Sequence, residues 1–452
     1  MSKYPFEQHV DAVYTSTLAT EAGNPFLEAM PEMLTKETLF SQLKSLPTPP
    51  RPANDMGILE RRRSLAHLST LFFPMDYMYE IYTQLFCAIE NAYTTSTMTD
   101  MARRIQSIHP QCISQPVFVS EAPESASILG VPGIGKTSTI RKCLRQIPQV
   151  LTHYEYQGRK FYHKQITHIT VECPSDCSVK ALALNIIEAI DRAVGSSYYE
   201  MACRRSHVPS ASALTSRVKI LCLNHSVGLI VIDEIQNAII TASRNNQSRP
   251  LIKFLVELTN EACTSIYLVG TPSAEELFIS QEHLKRRTRG VRLLPMKPDA
   301  VYRDFMRCLW PYQYTEKEAP FTDQLLNLIY DQAGGIPAYI IRLFREAQTE
   351  CVMSGQKRID TASILRTVDR LSLSVPKLYI KGTSISDFSA PRYVPEEPEE
   401  PLAMDKREYA VKRGRPKAAR ASLDILQITE GCGRADLVLD ALMEHGLVEV
   451  LQ

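Results

Sequence analysis

The sequence lacks any hydrophobic run long enough to cross a membrane. Its longest apolar stretches, such as residues 228–232, have only the length of a strand, whereas a membrane helix needs about 20 apolar residues. Residues 1–5 also lack a charged stretch followed by an apolar core, which is the pattern of a secretory signal. We therefore expect no signal peptide, no contact with a membrane and a location in the cytoplasm.

A large excess of one charge is missing as well. The 452 residues include 51 Lys and Arg against 50 Asp and Glu, which gives a formal net charge of +1. This balance excludes a uniformly basic protein that coats DNA, but it allows local basic patches.

The 11 cysteines lack the spacing of a disulfide framework, which again favours a reducing cytoplasm. Cys173 and Cys177 form a single C-x3-C pair. A zinc site would need further ligands that the neighbouring sequence does not offer. Zinc binding and free thiols at the end of a strand are both open, and we favour the free thiols.

Composition and periodicity divide the chain into five segments. Residues 1–120 are rich in Pro and Met and predict an arm followed by helices. Residues 121–298 alternate short apolar runs with helical segments, which is typical of a parallel sheet covered by helices. Residues 299–376 have helical periodicity alone and predict a small lid. Residues 377–420 are acidic and Pro-rich, then basic, and predict a disordered linker, while residues 421–452 predict a helical segment that docks a partner.

A phosphate-binding motif, G-x-x-x-x-G-K-[ST], covers residues 130–137, between a short apolar strand and a helix predicted for residues 138–146. Its glycines let backbone N–H groups turn toward a phosphate, Lys136 neutralises phosphate charge, and Thr137 offers a hydroxyl to Mg²⁺. The motif predicts a site for ATP and Mg²⁺ rather than a Gly-rich turn without a ligand. The residues predicted to bind the nucleotide are Gly130, Pro132, Gly133, Ile134, Gly135, Lys136, Thr137, Ser138 and Asp233.

Two carboxylates, Asp233 and Glu234, follow the apolar run at residues 229–232. Ligands of α/β proteins bind at the carboxyl ends of the parallel strands. Asp233 is therefore predicted to hold Mg²⁺ together with Thr137, and Glu234 to orient the attacking water. A plain strand-end cap is the alternative, which the accompanying phosphate loop disfavours.

A further strand, predicted for residues 265–270, is followed by Thr271. The Thr271 hydroxyl either senses the attacking water or caps a helix predicted for residues 273–278, and both interpretations are open. A basic run at residues 285–289 is placed on the helix after this strand, where such a run is usually a solvated face.

The ordered set of motifs resembles the AAA+ ATPases of the TnsC and TniB group, which regulate target choice in Tn7-like DNA transposons. The resemblance covers about residues 20–375. It implies an α/β fold, an AAA+ P-loop NTPase with a parallel sheet core, a small helical lid, an N-terminal helical arm and a mostly disordered C-terminal tail. The matching pieces besides the phosphate loop are residues 24–31 (NPFLEAMP), 72–75 (FFPM), 231–237 (VIDEIQN), 268–272 (LVGTP), 309–313 (LWPYQ) and 334–338 (GGIPA).

The resemblance implies a bacterial ATPase that assembles with ATP on double-stranded DNA of any sequence, as a ring or a helical filament. Such an assembly would link transposase subunits to a target-selection protein or a guide-RNA complex, and hydrolysis would take it apart. Arg287 or Arg286 would then reach the nucleotide of the neighbouring subunit, which gives the basic run a second interpretation.

The resemblance also implies contacts with the DNA backbone from Lys180, Ser210 and Arg217. The alternative is an exposed lysine in the first turn of a helix and an ordinary N-cap serine. The lid departs from the pattern of many AAA+ proteins, because Arg342 lies a turn beyond the place where their lids carry an arginine that senses the γ-phosphate.

The tail has no counterpart in this resemblance. Residues 412–417 (KRGRPK) are similar to an AT-hook, in which Arg413 and Arg415 would enter a narrow minor groove. A basic linker without a fixed partner is the alternative.

Two other functional hypotheses are open. One is a STAND-type or origin-initiator-like switch ATPase that binds a protein partner or a specific DNA sequence. The other is a scaffold that has lost hydrolysis, which is disfavoured because Lys136, Thr137, Asp233 and Glu234 are all present.

Overall fold

The computed structural model describes residues 8–15, 23–48, 50, 55–94, 125–176, 178–203, 209–237, 248–274 and 288–371. All of them belong to one compact unit, Met1–Thr383. The predicted linker and the C-terminal helical segment lie outside the described residues. So do five residues singled out from the sequence, namely Cys177, Arg286, Arg287, Arg413 and Arg415.

The described strands are β1 (His9–Asp11), β2 (Ser125–Gly130), β3 (Val150–Tyr156), β4 (Arg159–Ile166), β5 (His168–Glu172), β6 (Leu229–Asp233), β7 (Ser265–Gly270) and β8 (Thr288–Leu293). Five of them form a parallel sheet at the centre of this unit, in the order β5-β6-β7-β2-β8. A smaller sheet, in the order β1-β3-β4, pairs β1 with β3 in parallel and β3 with β4 as an antiparallel hairpin.

Helices cover both faces of the large sheet and build the lid. The described α-helices are α1 (Pro25–Glu28), α2 (Lys36–Leu43), α3 (Ile58–Ala66), α4 (Asp76–Thr94), α5 (Lys136–Leu144), α6 (Val179–Val194), α7 (Tyr198–Cys203), α8 (Ala211–Asn224), α9 (Ser248–Ala262), α10 (Ala300–Leu309), α11 (Asp323–Ala333), α12 (Pro337–Ser354) and α13 (Thr361–Leu371). No helix in the described part of the chain has the length and apolar character required to span a bilayer.

The continuous apolar sequence of the central strands follows from burial on both sides. Along β6, Leu229 and Val231 enter a core shared with α4, α5 and the lid. Ile230 and Ile232 point the other way, into a core shared with α6, α8 and α9. The carboxyl end of β6 is therefore held rigidly between two packed layers.

Helix α4, from the N-terminal segment, packs directly on the sheet. The Ser265 hydroxyl, in β7 of the large sheet, donates to the carbonyl of Ala88 at 2.6 Å. The Tyr93 hydroxyl donates to the carbonyl of Ile166, at the end of β4 in the smaller sheet, at 3.0 Å. This helix thus belongs to the layer that carries the phosphate loop.

The structure corrects two details of the sequence-based strands. Residues 166–171 are one of the short apolar runs of the segment 121–298 that predict strands, but this run is divided between β4 and β5, because the Thr167 N–H donates to the carbonyl of Gln149 at 2.9 Å. The basic run at residues 285–289 does not lie wholly on a helix. Thr288 and Arg289 are in β8, where the backbone pairs with Ser125 and Ala126 of β2.

Candidate functional site

The phosphate loop connects β2 to α5 in the conformation that its glycines allow. Gly133 and Gly135 have φ values of +82° and +101°, a backbone region that residues other than glycine rarely adopt. The Lys136 ammonium donates to the carbonyl oxygens of Gly130 at 2.6 Å and Val131 at 3.3 Å. Burial lowers the pKa of Lys136 below its ordinary value, and the nearby charges of Glu234 and Asp233 offset only part of this shift.

Thr137 and Asp233, which belong to different elements, meet at this loop. The Thr137 hydroxyl donates to Oδ2 of Asp233 at 2.7 Å, although β7 separates the strands that lead to the two residues. A hydroxyl and a carboxylate are oxygen ligands of the kind that Mg²⁺ takes, together with water and phosphate oxygens. The donor set therefore fits Mg²⁺, as the sequence predicts.

Glu234 leaves the end of β6 through an unusual backbone conformation. Its φ is +58°, which costs a residue with a Cβ about 1–2 kcal/mol. Its N–H donates to Oδ1 of Asp233 at 2.9 Å, and its own carboxylate accepts a hydrogen bond from Nε2 of Gln236. Strained residues of this kind cluster at functional sites.

Thr271 lies at the end of the neighbouring strand. Its N–H donates to Oε1 of Gln236 at 3.1 Å, and its hydroxyl shares a 2.7 Å hydrogen bond with the hydroxyl of Ser273. Its carbonyl accepts from the N–H of Ala274 at 2.9 Å, which starts a short 3₁₀ helix, Pro272–Ala274. The sensing role and the capping role both stay predictions.

Two adjoining cavities lie beside the loop, with volumes of about 590 Å³ and 280 Å³. The Tyr77 hydroxyl in their shared wall donates to the carbonyl of Ile134 at 3.4 Å, and burial raises the pKa of Tyr77 to about 12. Such an apolar, aromatic wall suits a nucleotide base. The residues that line both cavities are Phe73, Met75, Tyr77, Ile134 and Pro337.

The sequence does not identify Phe73, Met75 and Tyr77 as parts of a site. The only local signal is the FFPM sequence before α4.

The lid touches the phosphate loop through the first turn of α12. The N–H of Ala338 donates to the carbonyl of Gly133 at 3.3 Å. Arg342 lines the smaller cavity together with Gly135 and Ser138, and it lies in the second turn of α12, which begins at Pro337. Arg342 therefore stands beside the loop despite its late position in the motif.

The candidate DNA contacts lie on α6 and α8, which pack against each other. Lys180 is half-buried in the first turn of α6, and Arg217 is half-buried in the middle of α8. The Ser210 hydroxyl accepts from the N–H of Ala213 at 3.2 Å, so this serine caps α8. DNA binding by these three residues stays a prediction.

Comparison with known proteins gives one family match and several weak structural similarities. Residues 121–278 match the model of the AAA domain, and no curated protein matches the chain. The chain resembles the Drosophila ORC bound to DNA, with 12% identity, a TM-score of 0.40, and coverage of 73% of this chain and 70% of that chain.

Two further solved structures are similar at the same low level. For the Aeropyrum pernix ORC1 protein in complex with DNA, the identity is 15% and the TM-score 0.37, over 60% of this chain and 64% of that chain. For the Thermotoga maritima RuvB Holliday junction branch migration motor, the identity is 14% and the TM-score 0.31, over 61% of this chain and 68% of that chain. The family match and the five-stranded parallel sheet confirm the predicted AAA+ P-loop fold of the core.

Proposed function

We propose that this protein hydrolyses ATP and regulates DNA transposition as an oligomer on double-stranded DNA. The hydrogen bond between Thr137 and Asp233, with Glu234 as the next residue, is the observation that supports the ATPase part. It joins the two halves of a phosphate site that are 96 residues apart in the sequence.

In this proposal the N–H groups of the loop and the Lys136 ammonium hold the β- and γ-phosphates of the substrate ATP. Thr137 and Asp233 hold Mg²⁺, which when bound neutralises negative charge on the phosphates. Glu234 orients the water that attacks the γ-phosphorus, while the bond from that phosphorus to the bridging oxygen breaks.

The base of the nucleotide is proposed to enter the cavities beside the loop. Their aromatic residues, Phe73 and Tyr77, offer flat apolar surface. Because Arg342 of the lid lines one cavity, the lid is placed to respond to the phosphates as well as to the base.

The DNA-bound, oligomeric part of the proposal is supported by the motif resemblance. Lys180, Ser210 and Arg217 would contact phosphates, and Arg287 or Arg286 would reach the ATP of the next subunit. Thr271 would sense the attacking water. Transposase subunits and a target-selection protein or guide-RNA complex are the proposed partners in the bacterial cytoplasm, and Arg413 and Arg415 would add a minor-groove contact.

Electron microscopy of the purified protein on duplex DNA of arbitrary sequence tests this proposal. With ATP or a non-hydrolysable analogue we expect rings or filaments on the DNA, and none without nucleotide. The Lys136→Ala variant is the control and should not assemble, because it lacks the cation that binds the phosphates. If wild-type protein hydrolyses ATP but never assembles on DNA, the DNA-bound oligomer is wrong and only the ATPase stands.

A further inference from the structure

The side chain of Gln236 spans two strand ends at the site. Its Nε2 donates to a carboxylate oxygen of Glu234, and its Oε1 accepts from the N–H of Thr271 at 3.1 Å. One neutral side chain thus joins the carboxylate proposed to orient water to the first residue after β7.

Chemistry determines which way round the Gln236 amide lies. The backbone N–H of Thr271 can only donate, so it requires the carbonyl oxygen of the side chain. An ionised carboxylate can only accept, so Glu234 requires the NH₂ group. The two contacts demand the same orientation, and a flipped amide would lose both of them.

The surrounding backbone leaves room for this bridge. A Cβ at Gly270 would lie 2.9 Å from Oε1 of Gln236 and 2.8 Å from Cγ2 of Ile235, so a side chain there would displace the amide. The N–H of Ile235 donates to the carbonyl of Val269 at 2.9 Å, which ties the turn that carries Gln236 to the same strand.

A separate contact anchors the turn on its other side. Nδ2 of Asn237 donates at 3.0 Å to the carbonyl of Cys173, the first residue after β5. This bond holds the backbone of the turn without touching Glu234 or Thr271. Asn237 therefore provides a comparison between loosening the turn and losing the Gln236 bridge.

We infer that Gln236 is a positioning residue that holds the Glu234 carboxylate in the place required for ATP hydrolysis. The inference rests on the proposed ATPase function. Without the bridge, Glu234 keeps its left-handed backbone but its side chain gains other rotamers, and misplacement of a reacting group by about 1 Å can cost a factor on the order of 100 in rate.

The test replaces the amide without leaving a gap. Gln236→Met keeps the length of the side chain and removes both hydrogen bonds. We expect kcat for ATP hydrolysis to fall about 10- to 100-fold, with KM and the affinity for a fluorescent ATP analogue nearly unchanged. A structure of the variant should show the Glu234 carboxylate away from its wild-type position.

Two further variants separate positioning from a general structural effect. Asn237→Ala loosens the same turn and should keep kcat close to the wild-type value. In the Glu234→Asp variant the shorter carboxylate cannot reach Gln236. Adding Gln236→Met to this variant should therefore change kcat little, because the effects of mutations on residues in contact are not additive.

The outcomes are distinct. A wild-type kcat in Gln236→Met, or an equal loss in Asn237→Ala, would overturn the positioning role while the ATPase stands. A wild-type protein that binds the ATP analogue but releases no phosphate would instead overturn the proposed function itself.

Discussion

Asp233 and Glu234 are adjacent carboxylates that point to different partners. Asp233 ends β6 in extended conformation, which brings its side chain to the Thr137 hydroxyl. The left-handed backbone of Glu234 turns the next side chain toward Gln236 instead. This difference at one φ angle supports a division of labour between a magnesium ligand and a group that orients water.

Replacing Glu234 by Gln should reduce ATP hydrolysis by a factor on the order of 100 or more, the usual contribution of such a group. Nucleotide binding and assembly on DNA should persist, because Lys136, Thr137 and Asp233 remain. Phosphate release and binding of a fluorescent analogue measure the two effects. Glu316→Gln, an exposed position in the lid, is the control, and phosphate release unchanged in Glu234→Gln would remove Glu234 from this role.

Among the elements, the turn between α11 and α12 connects the lid to the core. Gly335 has a φ of +69° and accepts a hydrogen bond from the N–H of Met296 at 2.9 Å. A Cβ at this position would overlap the carbonyl oxygen of Met296. Only glycine satisfies both the backbone angle and this close approach.

Gly335→Ala should therefore lower the free energy of unfolding by about 2 kcal/mol or more, since it adds a steric overlap to the strain of a left-handed residue. Gly355→Ala is a matched control, because Gly355 has a similar φ of +73° with nothing within 4 Å of its added Cβ. It should cost only about 1 kcal/mol. Urea unfolding of both variants measures the difference, and equal losses would contradict the role of the Met296 contact.

At the scale of the whole molecule, the proposed binding of DNA depends on the surface formed by α6 and α8. Lys180 and Arg217 lie on two helices that pack together, so an assembly could present both to one backbone. Contacts of this type release counterions and are insensitive to base sequence.

The double variant Lys180→Ala, Arg217→Ala should weaken binding to two unrelated duplexes equally. The slope of log K against log salt should become shallower by about 0.9 for each lost phosphate contact. Fluorescence anisotropy across a salt series gives both values. Lys317→Ala, an exposed lysine of the lid, should leave the slope as in wild type. The same slope in the double variant would exclude these two residues from the DNA interface.

Much of the central unit follows from local sequence. The apolar runs at residues 229–232 and 265–270 are strands because both of their faces are buried. The loop at residues 130–137 needs glycine at positions with positive φ. Each of these signals is contained within a few residues, so inspection of the sequence can detect it.

Long-range pairing accounts for the rest. Strand β8 begins with charged and polar residues, and only its backbone pairing with β2, which is remote in sequence, makes it a strand. The bridge from Gln236 to Glu234 and Thr271 depends on the sign of one φ angle and on the empty side of Gly270. The glycine at position 270 is visible in the sequence, but the residue types do not show that it faces Gln236 or that Glu234 has a positive φ.

The hydrogen bond from the N–H of Ala338 to the carbonyl of Gly133 has a kinetic consequence. We expect a nucleotide bound between lid and loop to leave faster when this contact opens, because the lid can then move away from the loop. The residence time of the nucleotide, and hence the lifetime of each subunit on its neighbours, would then depend on how often a single 3.3 Å bond opens. The opening rate of the lid would then set the lifetime of the assembly.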